Sequence, residues 1–263
     1  MAKLSVRSSE TERGPMISVT VEGTGGDPTQ TQHLFIPRDL PPGVDQVGAR
    51  LFAAYALFNG EAARASATLL PELIGPHMMK AVPGLLASPY TGFVDAVSAA
   101  ARENKNVVAD LGAVPASTVA TAAIRQRAVQ MFDAAPTIAD KIRLASEVYT
   151  LPQLQGLVEV DALSILPDNA QSAIKDRYLM LSYASKYGIA SKYPAIATPD
   201  NPIPSGVNND AVESEAKAMI SAVRALTKKI EHCSQIARDC IAYVSIACQC
   251  PVPTAFSLIT KQA

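Results

Sequence analysis

Residues 210–248 read DAVESEAKAMISAVRALTKKIEHCSQIARDCIAYVSIAC and contain neither Pro nor Gly. Ala216, Met219, Val223, Leu226, Ile230, Cys233, Ala237, Cys240, Val244 and Ala247 step by alternating three and four residues. That spacing holds one apolar stripe on one side of an α-helix, an a/d pattern over about four heptads. At 1.5 Å per residue the helix spans roughly 55 Å. Three fates are open to it: burial inside its own subunit, a seam between subunits, or a break into two shorter helices. A seam of Ala and Cys instead of Leu argues against an autonomous coiled coil.

Working outward, the same periodicity recurs. Val47, Leu51, Ala54, Phe58, Ala62 and Ala65 form one stripe, and Ala120, Ile124, Ala128, Met131 and Ala135 another. Thr91 is placed to cap a helix carrying Phe93, Val97 and Ala100, and Thr137 with Asp140 resembles a capping box. Asp168 or Asn169 caps a further helix that should stop at Gly188. Pro71, Pro76, Pro83 and Pro89 should leave only short helices between them. Residues 189–209 hold four more prolines and read as an extended linker. Ile17, Val19 and Val21 alternate with polar residues, and with Leu34-Phe35-Ile36 they predict a β-hairpin. The expected fold is therefore mainly α. A mobile N-terminal arm with a hairpin fills residues 1–40, a helical core 41–250 (long helix 210–248), and an extended apolar tail 251–263.

Composition narrows the class. The chain has 263 residues, 48% hydrophobic and 18% charged, with 43 Ala, 20 Ser and 19 Pro but no Trp. It is too apolar for general disorder, and its alanine favours helices packed closely through small side chains. The formal net charge is −1 and the pI about 6.3, so a nucleic-acid site would have to be a local basic stripe. The N-terminal residues show no apolar signal-peptide core, and no apolar run reaches membrane-span length. The four cysteines lie between Cys233 and Cys250, unlike a disulfide framework, which suggests a reducing, cytoplasmic setting.

Chemistry-bearing motifs are few. Gly23-Thr24-Gly25-Gly26 follows a strand but lacks the Gly-Lys-Ser/Thr ending and the helix of a phosphate loop, so a turn is the better reading. His33, His77 and His232 have no paired spacing, and Cys248-x-Cys250 does not match a zinc knuckle. No nucleophile elbow or serine-lysine constellation occurs. The expectation is a protein that is not an enzyme and needs no metal or cofactor.

Basic residues carry more. Arg125 and Arg127 flank the apolar stripe of their helix, and Lys141 and Arg143 follow in the next. Lys175, Arg177, Tyr178, Tyr183, Lys186, Tyr187 and Lys192 interleave cations with tyrosines, as a groove does that neutralises phosphates and stacks bases. Arg177 turns with Ala173, Ile174, Leu181 and Ala184 toward the apolar side. It either snorkels or pairs in the core, or projects into a phosphate groove. These eleven residues are the candidate RNA-binding set, with a solvated face as the competing reading.

A chain rich in Pro, Ala and Ser, with segments such as Ala113-Val-Pro-Ala-Ser117 and Tyr193-Pro-Ala-Ile-Ala197, resembles the proline-alanine-serine-rich proteins of polymycoviruses. The resemblance covers the whole chain through composition, size and order of elements. It implies a coat-like protein that covers a double-stranded RNA genome in the cytoplasm of a fungal host. It further implies kinship with the coat proteins of flexible filamentous plant viruses. Self-association as a dimer or filament, through the apolar Ile17–Ile36 hairpin and the Val252–Ile259 tail, follows as an expectation, with no membrane partner. The alternative is a helical structural or adaptor protein that binds protein only.

Overall fold

A computed structural model describes residues 4–23, 28–196, 203 and 205–261. Lys3 of the predicted arm, Thr24, Gly25 and Gly26 of the predicted turn, and Pro199, Pro202 and Pro204 of the predicted linker lie outside the described residues. Three strands come first: β1 (Leu4–Thr11), β2 (Gly14–Val21) and β3 (Gln30–Phe35). Helices follow: α1 (Asp45–Thr68), α2 (Pro71–Leu85), α3 (Ala87–Gly112), α4 (Val119–Ala134) and α5 (Ile138–Arg143), which runs into a π turn, Leu144–Val148. The chain continues through α6 (Leu151–Glu159), α7 (Asp168–Lys186), α8 (Asn209–Ala247) and α9 (Val252–Thr260). The fold is mainly α with a small antiparallel sheet near the N-terminus. The arm–core–tail division gives way to two compact units, Met1–Asn104 with Leu226–Ala263, and Lys105–Ala225.

In the first unit the chain from Leu4 onward is not a free arm. β1 pairs with β2 in the order β1-β2-β3, and Leu4 faces Val21 and Val6 faces Val19 across the ladder. The expected hairpin is β2–β3, with Ile17 opposite Leu34. Leu4, Ile17, Val19, Leu34 and Ile36 are buried on α1, where they meet the stripe Leu51, Ala54, Phe58, Ala62 and Ala65. Only the first part of β1 packs toward the core; Arg7 to Glu10 are polar and exposed, which hid the strand.

α2 is longer than its prolines suggested. Ile74, Gly75, Met78 and Val82 are buried, while Pro76 is exposed and Pro83 half-buried. An outward proline orphans a carbonyl on the outer side, where water can satisfy it, so burial of the inner stripe outweighs the lost bond. A β-carbon on Gly75 would stand 2.7 Å from the Cys248 carbonyl oxygen, so glycine lets α2 close on the end of α8. α3 starts at Ala87, four residues before Thr91, which is therefore not its cap.

The C-terminal half of α8 buries Cys233, Ile236, Cys240, Tyr243, Val244 and Ala247 in this same core, and the helix is unbroken. Of the three fates, burial within the subunit holds for this half. Tyr55 donates to the Cys240 carbonyl at 2.9 Å, Tyr243 donates to Asn59 Oδ1 at 2.5 Å, and the two rings meet edge-on at 5.6 Å. The apolar tail is helical α9, packed on α2 with Ala255 and Ile259 buried. The hairpin and the tail thus complete their own subunit's core, which removes the reason for expecting them to dock on a neighbour.

The second unit has its own core of Ala128, Phe132, Ala145, Tyr149, Leu154, Leu157, Ile174 and Tyr178. α4, α5 and α6 start at threonines: Thr118 in a capping box with Thr121, Thr137 accepting from the Asp140 amide at 3.1 Å, and Thr150 in a capping box with Gln153. α4 and α6 pack tightly because Gly156 has no side chain; a β-carbon there would lie 2.8 Å from the Arg125 carbonyl oxygen. α4 buries Arg125, Ala128 and Phe132, whereas Ile124 and Met131 of the predicted stripe are each 43% exposed. Apolar residues lie on every side of α4, so its period did not single out the core face. α7 begins at Asp168 with Pro167 at the cap position, and it ends as expected at Gly188, whose φ is +58°. The predicted linker returns on itself: the Asn208 amide donates to the Tyr193 carbonyl at 2.8 Å and the Ala195 amide to the Gly206 carbonyl at 3.1 Å.

Two tests follow from the first unit. Truncating Ile259 to Ala should cost about 2–4 kcal/mol in urea unfolding, by loss of buried methylenes and a residual cavity, and leave the mass in light scattering unchanged. A fall in oligomer size without loss of stability would instead mean that the tail docks on a neighbour. Burial also raises Cys233 to about 11, and Cys240 and Tyr90 to about 12, from ordinary values of 9.0 for a thiol and 10.0 for a phenol. The folded state binds these protons more tightly than the unfolded chain. Their contribution is therefore whole below pH 9 and is lost as pH rises through the folded values, so thermal unfolding should fall steeply between about pH 9 and 12.

Candidate nucleic-acid interface

The eleven candidate residues all belong to the second unit, yet the structure gives them different surroundings. α7 places Arg177 on its inner side beside the π turn. There its Nη1 donates to the Ala145 carbonyl at 3.1 Å and to the Tyr149 carbonyl at 2.6 Å. A π turn widens the helix by one residue, and the Tyr149 amide closes it on the Leu144 carbonyl at 2.9 Å. Burial lowers the Arg177 pKa from its ordinary value, against the opposing field of Glu213. A guanidinium nevertheless stays charged.

Arg177 lines a cleft of about 480 Å³. Ala173, Met180, Leu181 and Ala184 of α7 and Val212 and Ala216 of α8 supply apolar walls, and Ser146 of the π turn and Glu213 of α8 supply polar groups. Arg177 makes no further hydrogen bond among the described residues, so its Nε and Nη2 groups have no hydrogen-bond partner there. Arg177 is half-buried, pairs with two main-chain carbonyls instead of a carboxylate, and lines the cleft.

Arg125 does not flank the core as expected but lies in it, 5% exposed. Nη1 pairs with Glu159 at 3.1 Å, and Nη2 donates at 2.9 Å both to the Pro115 carbonyl and to Gln155 Oε1. Nε is buried without a partner. This arginine ties α4 to α6 and to the chain entering α4, and its phosphate-binding edge is occupied. Tyr178 is likewise buried, donating to the Gly112 carbonyl at 3.2 Å and the Ala113 carbonyl at 3.3 Å, so its ring offers no stacking face.

The other candidates lie nearer the surface. Arg127 and Lys175 are exposed and form no ion pair among the described residues. Lys141 sits over the Phe132 ring at 5.0 Å, and Arg143 stands 3.9 Å from Asp140. Lys186 pairs with Asp110, and Lys192 lies 3.6 Å from Glu215. Tyr183 donates to Glu215 at 3.5 Å, and Tyr187, 52% exposed, rests against it with ring centres 5.0 Å apart. Tyr193 is raised above the usual phenol value by its hydrogen bond to Glu215. The interleaved segment is thus partly neutralised by its own acids and does not form one basic stripe.

Sequence reasoning missed Ser146 and Glu213. Glu213 lies one turn before Ala216, a seam position, which is the signal that places it beside the apolar face. No group of three or more His, Cys, Asp or Glu positioned to hold a metal ion occurs among the described residues. No single helix there is long and apolar enough to cross a membrane. No protein-family model, curated protein or solved structure matches the chain. The functional reading therefore rests on the cleft.

The division between structural and exposed cations is directly testable. Arg125→Ala should lose about 2–4 kcal/mol in urea unfolding, because Gln155 and the Pro115 carbonyl lose a buried donor; the half-exposed Glu159 can rehydrate. Lys175→Ala should stay within about 0.5 kcal/mol of the parent. Equal stability of the two variants would return Arg125 to the surface set.

Proposed function

We propose that this chain is an RNA-coating protein, each subunit holding the RNA strand at the Arg177 cleft. The carrying observation is the guanidinium of Arg177, held by two carbonyls through one nitrogen on a residue that also lines an open cleft. An Nε–Nη2 edge fits two phosphate oxygens in parallel, and the charge assists both bonds. Met180, Leu181 and Val212 offer an apolar wall against which a base can lie, and Ser146 adds a hydroxyl. Exposed Arg127 and Lys175 add long-range attraction along the same unit. A near-neutral subunit is compatible with this role, because one modest contact per subunit is multiplied along an assembly.

The apolar wall favours an unpaired strand over the duplex that the resemblance implies, since a duplex keeps its base faces stacked and offers phosphates and 2′-hydroxyls. Self-association remains part of the proposal, through surfaces other than the terminal segments. The exposed apolar residues of α4, Val119 at 93% exposure and Ile124 and Met131 at 43% each, are the surface such contacts would use. That surface equally suits the second reading, a protein-only adaptor.

Fluorescence anisotropy with a labelled 20-nucleotide single strand and the corresponding duplex, at two salt concentrations, separates these readings. Binding should weaken steeply with salt, as counterion release requires. Arg177→Lys, which keeps the charge but loses the fork, should weaken single-strand binding on the order of tenfold. Urea unfolding of the variant serves as the control for folding. No binding to either RNA at low salt would leave the adaptor reading. Tight duplex binding indifferent to Arg177→Lys would move the RNA to the exposed cations.

A further inference from the structure

The cleft contains a feature that a pure phosphate site would avoid. Glu213 lines it together with Arg177, close enough for each to feel the other's charge, yet the two do not form an ion pair. Glu213 is exposed and has no hydrogen-bond or ion-pair partner among the described residues. Stabilisation by the helix end does not explain its place. It is the fifth residue of α8, and the favourable field of a helix N-terminus fades within the first turn, where Asp210 already stands. A carboxylate beside the phosphate-binding arginine repels an anion. The pair suits a ligand that carries an anion at one end and hydrogen-bond donors at the other, with a flat apolar body between them.

An unpaired nucleotide has that arrangement, and the donors belong to its base. We infer that Glu213 reads the base edge in the cleft and prefers guanine; the inference rests on the proposed RNA-coating function. An ionised carboxylate only accepts, through two oxygens side by side. Guanine alone presents two adjacent donors, N1–H and the N2 amino group, matching both oxygens. Adenine and cytosine offer one amino group each, and uracil offers a single N3–H flanked by two carbonyls that the carboxylate repels. Arg177 takes the phosphate, Met180, Leu181 and Val212 take the base plane, and Glu213 takes the edge. The preference acts at one nucleotide per subunit and adds to a phosphate contribution that is independent of sequence.

The test compares five labelled 9-mers by anisotropy with the full chain: oligouridine, and alternating uridine with guanosine, inosine, adenosine or cytidine. A bidentate base contact is worth about a tenfold difference in affinity. The guanosine alternate should therefore bind about tenfold tighter than oligouridine, with inosine, which lacks the N2 amino group, between them. Glu213→Ala should bring the five ligands to within about twofold while oligouridine binds at least as well as before, because a repulsive charge is gone. Arg177→Lys should weaken all five alike and keep their order. If the parent chain binds all five equally, or if Glu213→Ala keeps the guanosine preference, the inference is overturned while RNA binding itself stands. Absence of binding to every ligand overturns both.

Discussion

The carbonyl groups of Ala145 and Tyr149 at the π turn must find donors, and Arg177 of α7 supplies them through a single nitrogen. Backbone acceptors turned toward a protein interior are costly when unpaired. Pairing them with a guanidinium also holds a second cation, half-buried, in a unit whose core already contains Arg125. The arrangement settles where α7 lies against the Leu144–Val148 turn, on a residue that also lines the cleft. A lysine could carry the charge, but it could not bridge two carbonyls and still present a planar fork.

Each unit is closed by backbone contacts that only glycine permits. Gly156 brings α6 onto α4, and Gly75 brings α2 onto the end of α8. Close approach of helices is the physical counterpart of an alanine-rich composition: small side chains bury little area each, so helices must come near one another to make a core at all. Larger groups then act as anchors, and the polar ones are satisfied. Tyr55, Tyr149 and Tyr243 are buried with their hydroxyls donating to Cys240, Ala128 and Asn59. Arg125 in α4 follows this rule only in part: Nη1 and Nη2 are paired, but Nε is buried without a partner.

The candidate site was partly legible. Arg177 was singled out because its charge fell on an apolar helical face, and that contradiction marks the residue lining the cleft. Tyr178 and Arg125 were assigned to the surface for opposite reasons. A tyrosine beside lysines looks like a stacking platform until its hydroxyl is seen to reach the carbonyls of Gly112 and Ala113. The sequence misplaces Arg125 because α4 has apolar residues on every side, so a face one residue away looks equally good. Ser146 and Glu213 come from separate segments, and no spacing along the chain joins them to Arg177.

By itself the sequence determined the elements whose signal is local. The uninterrupted stripe of α8, the stripe of α1, the threonine cap of α5, the stop at Gly188 and the β2–β3 alternation each depend on neighbours a few residues away. What only the tertiary structure decided depends on distant partners. β1 is a strand because β2 and α1 cover it, α2 tolerates its prolines because none stands in its buried stripe, and the C-terminal tail is a helix because α2 receives it. The cleft belongs to the same class: its walls are contributed by α7, α8 and a π turn, and the energy that assembles them is burial, which carries no mark of sequence separation.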